Sequence, residues 1–306
     1  MSSSSSLERA LRQRLEERKS KSQLRRLTSF PSTSVDFSSN SYLSLSVVPE
    51  VQKAYIAHLE QLTASNPRTS ILGSSGSRLL DGNSNYAEAL ERDVAAFHHA
   101  PAGLLFNSGF DANLGLERDV FARLHTFGKA MGASGAILLC APVVREYLIN
   151  YARTLIYTTA MSPASLAGIR VTYDFVATEM ADELRRRLRE LIGYTHGLFV
   201  SICARYGAAP RPLVRIDAGL PSSPIIPLLT SHPRSLASYC QERGYIIRPI
   251  VAPTVPKGSE RVRVCLHAAN TKEEVGGLAR VVEEWVLKTQ KEGLQETQPP
   301  VQKAHL

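Results

Sequence analysis

Short apolar runs alternate with longer stretches of helical spacing along nearly all of this chain, and that alternation restricts its fold more than any other feature. Leu104–Phe106, Ile137–Cys140, Ile225–Leu229 and Tyr245–Ile247 read as buried strands. Between them, apolar residues recur every three or four positions. Val51, Tyr55, Leu59 and Leu62 predict one helix, ended by Asn66-Pro67, and Tyr86, Leu90, Val94 and Phe97 predict another. Further helices are predicted by Tyr147, Leu148, Tyr151 and Leu155, by Leu184, Leu188 and Leu191, and by Val275, Leu278, Val282 and Trp285. Residues 261–267 alternate instead, with Val262, Val264 and Leu266 on one side and Arg261, Arg263, Cys265 and His267 on the other. Strands interleaved with helices define the α/β class.

Charge narrows the range of partners. The 306 residues carry a formal net charge of +8, concentrated between Arg9 and Arg26 and in Arg185, Arg186, Arg187 and Arg189. Such a balance favours anionic partners such as phosphates or coenzyme A esters, though solvated helix faces produce the same runs. No zinc-ligand spacing and no aromatic stripe within the basic patches points to nucleic acid or a metal. Cys140, Cys203, Cys240 and Cys265 lie far apart in apolar runs, which suits a reducing compartment. No apolar run is long enough for a membrane span. The ending Ala304-His305-Leu306 fits the small–basic–leucine pattern read by the peroxisomal import receptor, with a cytoplasmic location as the alternative. Residues 7–27 have helical spacing, and residues 1–6 read as disordered.

Three stretches carry chemistry. In His125-Thr-Phe-Gly-Lys-Ala-Met-Gly132, Lys129 stands among residues with almost no side chain. A planar ligand can approach such a lysine closely, and an apolar setting would favour the nucleophilic amine of an imine-forming residue. A surface lysine in a Gly/Ala-rich turn fits the same residues equally well. Leu104–Phe106 runs into Asn107-Ser108-Gly109-Phe110, a strand-to-helix turn whose free amides suit a phosphate or form an ordinary connection. Residues 73–85 make a Gly/Ser loop, after which Ser84 caps the next helix.

Taken together these stretches resemble one family, the α-oxoamine synthases among the fold-type I pyridoxal-phosphate enzymes, in its biotin-synthesis branch. The matching pieces are Phe37–Leu43, Gly73–Asn83, Leu105–Phe110 with Ala112 and Asn113, His125–Lys129, Tyr147–Arg153, Ile156–Ala160, Pro253–Pro256 and Arg261–Arg263. The resemblance implies a pyridoxal 5'-phosphate-binding large domain followed by a smaller α/β C-terminal domain. It implies that Lys129 carries the cofactor and later removes the amino acid's α-proton. Thr126 and the turn Ser108-Gly109-Phe110 would hold the cofactor phosphate, and Thr158 would reach it from the neighbouring subunit of a homodimer. Asn40 and Arg263 correspond to groups that hold the substrate carboxylate, and Arg25 and Arg248 to groups that contact the acyl donor. The implied reaction joins an amino acid, L-alanine, to an acyl-CoA, pimeloyl-CoA, with decarboxylation.

The chain also departs from that pattern. In the family a large central block separates the Asn-Ser-Gly-Phe turn from the lysine, whereas here they lie about twenty residues apart. The missing block, with its junction near 113–117, would carry the histidine that stacks on the pyridine ring and the aspartate that meets the ring nitrogen. It would also carry central strands of a parallel large-domain sheet. The expected division is an arm at 1–50, a shortened cofactor-binding domain at 51–160, a C-terminal domain at 161–290 and a tail at 291–306. Two other functions stand beside the first: an α-oxoamine synthase of secondary metabolism, and an inactive shortened homologue or partner subunit.

Overall fold

A computed structural model describes residues 6–20, 24, 28–65, 71–108, 122–207 and 212–296. Arg25, Gly109, Phe110, the 113–117 junction and the C-terminal tripeptide lie outside these residues. Two compact units are distinguished, Met1–Ser34 and Val35–Leu306. The first contains helix α1, Ser6–Ser20, whose surface is laced by the pairs Glu8–Arg12 at 2.6 Å and Arg14–Glu17 at 3.1 Å. These i,i+4 and i,i+3 pairs favour the helix with almost no burial. The Ser20 hydroxyl turns back to the Glu17 carbonyl, and the remainder of the helix expected to residue 27 falls almost wholly outside the described residues.

The second unit holds two three-stranded sheets. One is built from β2 (Ala102–Phe106), β3 (Ala122–Thr126) and β4 (Ala136–Cys140), in the order β2-β4-β3. The parallel sheet expected from the resemblance is not what these strands form: β4 lies between the other two and is antiparallel to both. Every residue of β4 is buried, because both of its edges are paired and both of its faces are covered. Leu105, Ile137 and Leu139 pack against α3 (Asn85–Phe97) and α6 (Pro163–Val176) through Leu90, Val94, Leu166 and Ile169. Leu104, Phe106, Ala136 and Leu138 face the other way, onto Leu148 of α4 (Pro142–Tyr151) and Leu155 of α5 (Arg153–Ile156). The sequence predicted α4 and α5 as one helix. Ala152, at φ −74° and ψ 100°, breaks it, leaving Tyr147 and Tyr151 exposed and stacked 4.6 Å apart.

Helix α2 (Pro49–Ser65) packs on α6, and the 28-residue α7 (Glu179–Tyr206) leads from α6 into the C-terminal layer. The second sheet is antiparallel, β5 (Ile225–Leu229), β8 (Arg261–Cys265) and β7 (Arg248–Ile250) in the order β5-β8-β7. Its core takes in Ile226, Leu228, Val262 and Val264, covered by α7 and by α9 (Lys272–Glu296) through Val275, Leu278, Val282 and Trp285. Helix α8 (Pro233–Gln241) adds Leu236 and Cys240 to that core. Burial pushes the Cys240 thiol up to about 12, so it is an inert packing group. A short parallel pair, β1 (Val35–Asp36) with β6 (Tyr245–Ile246), lays the segment after residue 34 along this C-terminal layer.

One cluster bears on pH. His98 donates to or accepts from the Tyr173 hydroxyl at 2.9 Å, and its ring lies 4.3 Å from that of His125 on β3. Burial lowers both imidazoles, His98 further through His125 and both through Arg123. The folded state therefore binds fewer protons here than the unfolded chain, so stability rises with pH. The contribution is complete above the ordinary histidine range and is lost as pH falls through about 6.5. Melting temperatures of wild type and His98→Gln should therefore converge between pH 7.5 and pH 5. A gap that stays constant across that range would refute the assignment.

Candidate cofactor and substrate site

Both β2 and β3 pair with β4, and Phe106 and Thr126 share the same register partner, Ala136. The two strands therefore run in the same direction and end at the same edge of the layer. That edge gathers most of the residues expected to meet a cofactor. Ser108 follows β2, Thr126 closes β3, and Lys129 sits in the loop that turns β3 into β4. Phe127 N donates to Gly135 O at 2.9 Å, Ala133 N to Phe127 O at 3.0 Å, and Gly132 N to Lys129 O at 2.9 Å. The turn needs positive φ at Gly132 (62°) and Gly135 (109°), and a Cβ at Gly135 would fall 2.6 Å from Met161 Cε. Lys129 itself is exposed. The apolar enclosure suggested by its small neighbours does not surround it, because the glycines shape the turn rather than bury its tip.

Thr158 lies near the end of β2 in the same chain, and its reach to a neighbouring subunit is not tested by a single chain. Asn107 Nδ2 donates to Thr159 O at 2.8 Å, Ala160 N to Gly76 O at 2.8 Å, and Ser74 Oγ to Ala160 O at 2.8 Å. The Gly/Ser loop is thus stitched to residues 157–161. Together they border a narrow cleft of about 20 Å³ lined by Arg78, Phe106, Asn107, Thr158 and Met161. Ser77 Oγ is buried nearby without a hydrogen-bond partner. These groups fit a phosphate. No carboxylate and no imidazole is among the residues lining this cleft, so the described residues fit the phosphate end of pyridoxal phosphate and not its ring.

The loop is held from below by a buried carboxylate. Glu91 on α3 accepts from Arg78, from Arg145 Nη2 at 3.0 Å and from the Leu105 amide at 2.8 Å. Arg145 Nε continues to Gly103 O at 3.1 Å. Arg78 also reaches Asn83 Oδ1 at 2.9 and 2.7 Å, and Asn83 Nδ2 donates to Glu88. Nothing in the sequence singled Glu91 out beyond its place on a helix. Its partners are 13 to 54 residues away.

A second cluster lies on the C-terminal sheet. Arg248 of β7 and Arg263 of β8 stand directly opposite each other. Like charges at that spacing repel, unless an anion joins them. Arg263 Nη2 donates to Ser38 O at 3.2 Å, while its Nε is buried with no partner. Asn40 lies in the adjoining loop, where Tyr42 donates its hydroxyl to Asn40 Oδ1 at 3.0 Å. Asp36 shapes this loop by accepting from Ser38 N at 2.8 Å and Ser39 N at 3.0 Å. Burial pushes its carboxyl up, but the Ser39 and Ser38 hydrogen bonds outweigh that and hold it below the usual range. His267 pins the loop from the strand side. Its Nδ1 lies 3.0 Å from Asp36 O, and its Nε2 lies 3.0 Å from Ser39 Oγ and 3.3 Å from Ser39 O. The family resemblance named Asn40, Arg248 and Arg263. It gave no role to Tyr42, whose partner Asn40 is only two residues away, or to His267, which meets Ser39 and Asp36 across more than 220 residues.

The two clusters are joined by the chain itself. Residues 44–46 continue from the Asn40 loop to the lysine turn, where a Cβ on Gly132 would sit 3.3 Å from Ser46 N.

The profile of aminotransferase class I and II matches residues 115–282. The 8-amino-7-oxononanoate synthase of Emericella nidulans is 34% identical over 407 aligned positions, taking in 92% of this chain and 97% of that protein. Since this chain has 306 residues, at least 101 of those positions face none of its residues. The enzyme of the same name from Yersinia enterocolitica is 37% identical over 160 residues, 51% of this chain and 38% of that protein. The chain thus spans well under half of that bacterial relative. In fold, the Sphingomonas wittichii serine palmitoyltransferase superposes with a TM-score of 0.71 at 14% identity, over 94% of this chain and 98% of that one. The Francisella tularensis 8-amino-7-oxononanoate synthase gives 0.63 at 17%, over 84% and 99%. The architecture is that of a shortened fold-type I transferase. The chain belongs to the aminotransferase class I and II family, among its pyridoxal-phosphate-dependent α-oxoamine synthases.

Proposed function

We propose that this chain is a pyridoxal-phosphate-dependent acyltransferase that condenses L-alanine with pimeloyl-CoA and releases carbon dioxide. The observation that carries the reading is the anion site on the C-terminal sheet, where Arg263 keeps a buried, unpartnered donor opposite Arg248 and beside Asn40. An arginine fork and an amide suit the carboxylate of an amino acid. The register of Arg248 supports a role in the same anion site as Arg263 rather than a separate contact with the acyl donor. Ser108, Thr126 and Thr158 would hold the cofactor phosphate at the sheet edge, and Lys129 would supply the amine. Those residues would hold the phosphate end of a bound cofactor, whose ring would supply an electron sink.

A second reading, a shortened homologue without turnover, is favoured by the absence of a carboxylate or imidazole among the residues lining the Thr158 cleft. One experiment separates the two. The full chain mixed with pyridoxal phosphate should develop a visible absorption band that shifts on addition of L-alanine. A band insensitive to L-alanine, or none, supports the second reading.

Homodimer formation is supported by the exposed, stacked Tyr147 and Tyr151 and is read from sedimentation of the same sample, where a monomer at every concentration would overturn it. Peroxisomal import through Ala304-His305-Leu306 is proposed on the tripeptide alone. Deleting it should move a fluorescent fusion from puncta to diffuse signal, and an unchanged distribution would sink the idea.

A further inference from the structure

We propose that Tyr42 is a positioning residue of the carboxylate anchor, turning the Asn40 side chain so that its NH2 group faces the ligand. The inference rests on the anchor reading of Asn40, Arg248 and Arg263 given above. A side-chain amide has an acceptor at one end and two donors at the other. The Tyr42 hydroxyl occupies the acceptor, Asn40 Oδ1, at 3.0 Å, and so commits Nδ2 to whatever lies beyond. A carboxylate only accepts. The other donor awaiting it is Arg263 Nε, buried without a partner. A reversed amide would turn an oxygen toward the carboxylate and repel it.

Tyr42 is well placed for this task. Its carbonyl accepts from Ala268 N at 2.8 Å, and the Cys265 amide donates to Phe37 O at 2.8 Å. The loop bearing Asn40 is therefore zipped to the chain segment that bears Arg263. Burial, with a smaller push from Cys265, raises the Tyr42 phenol against the opposing pull of Arg263. The hydroxyl thus keeps its proton, which it must have to donate to Asn40. Ser41 Oγ, between these two residues in sequence, is also buried and unpartnered, a second polar atom of this loop left for a ligand.

The test is an NMR titration of the full chain with L-alanine, on wild type, Tyr42→Phe, Asn40→Ala, the double variant and Arg263→Ala. Tyr42→Phe keeps the ring and removes only the hydroxyl. It should raise the dissociation constant roughly three- to tenfold, the effect of one hydrogen bond, with the melting temperature unchanged. In the Asn40→Ala background the same substitution should have no further effect, since the two act as one unit. Should Tyr42→Phe lower the melting temperature, Asn40→Asp reads the same geometry. That side chain accepts from Tyr42 but offers no donor, and must weaken binding as much as Asn40→Ala. Wild-type affinity in Tyr42→Phe, with binding lost in Arg263→Ala, would overturn the role of Tyr42 and leave the anchor standing. An equal loss in both backgrounds would mean that Tyr42 acts through packing and would also overturn it. No binding by wild type, or full binding by Arg263→Ala, would overturn the anchor and this inference with it.

Discussion

Replacing Glu91 by alanine is expected to cost about 3–5 kcal/mol of stability, a large share of the roughly 5–15 kcal/mol that holds a typical domain together. The side chain of Glu91 is 3% exposed and that of its partner Arg78 is 11% exposed. Removing the carboxylate would leave that guanidinium and Arg145 without a counter-charge in poor solvent, and would orphan the Leu105 amide as well. The penalty is the desolvation of what remains rather than the worth of the pair that was lost. A surface control sets the scale. Arg186 and Glu183 touch on α7 with side chains 61% and 57% exposed, and Glu183→Ala should cost less than about 1 kcal/mol. Urea unfolding of both variants decides the matter, and a loss for Glu91→Ala no larger than for Glu183→Ala would show that the buried network is idle.

Loss of Lys129 should be all or none in its own readout. Between Phe127 and Gly135 the loop contains a single primary amine, and on the proposed reading the sheet edge carrying Ser108 and Thr126 would bring the phosphate end of the cofactor beside it. Lys129→Ala should therefore abolish any visible band that survives dialysis, and Lys129→Arg should do the same, since a guanidinium keeps the charge without an available amine. Other lysines, such as Lys53 and Lys257, would react weakly and lose the cofactor on dialysis. A dialysis-resistant band of equal height in Lys129→Ala would remove this residue from the site. Because the side chain is exposed, neither change should shift the melting temperature by more than a surface substitution does.

Much of the fold was legible because burial in strands and helices follows period. Leu104–Phe106, Ile137–Cys140 and Val262 with Val264 form strands where the spacing placed them. Direction was not legible. A strand buried on every side, as β4 is, has the same apolar run whether its neighbours are parallel or antiparallel to it. Helix α6 was not predicted although Leu166, Ile169 and Tyr173 stand three and four apart, because Ala167, Val171 and Thr172 are buried as well and blur the stripe. Its start was nevertheless written in Ser162-Pro163, with Ser162 Oγ accepting from Ser165 N at 3.1 Å. Among candidate site residues, the resemblance named those in compact motifs. Tyr42 was given no role although Asn40 is two residues away, because which side chains of a loop meet depends on its folded path. His267 reaches Ser39 and Asp36 across the fold, which leaves no trace in local order.

Glu91 and Arg145 have a consequence beyond stability. Leu105 N and Gly103 O are the groups β2 turns away from β4, and a carboxylate and a guanidinium satisfy both. Another strand arriving on that flank would find these two groups already taken. The outer side of β3 pairs with no strand among the described residues and is the freer edge for further strands. The shortening between β2 and β3 therefore works like trimming planks from the open end of a deck. The boards that remain still touch one another, because β4 returns from later in the chain to lie between its two neighbours.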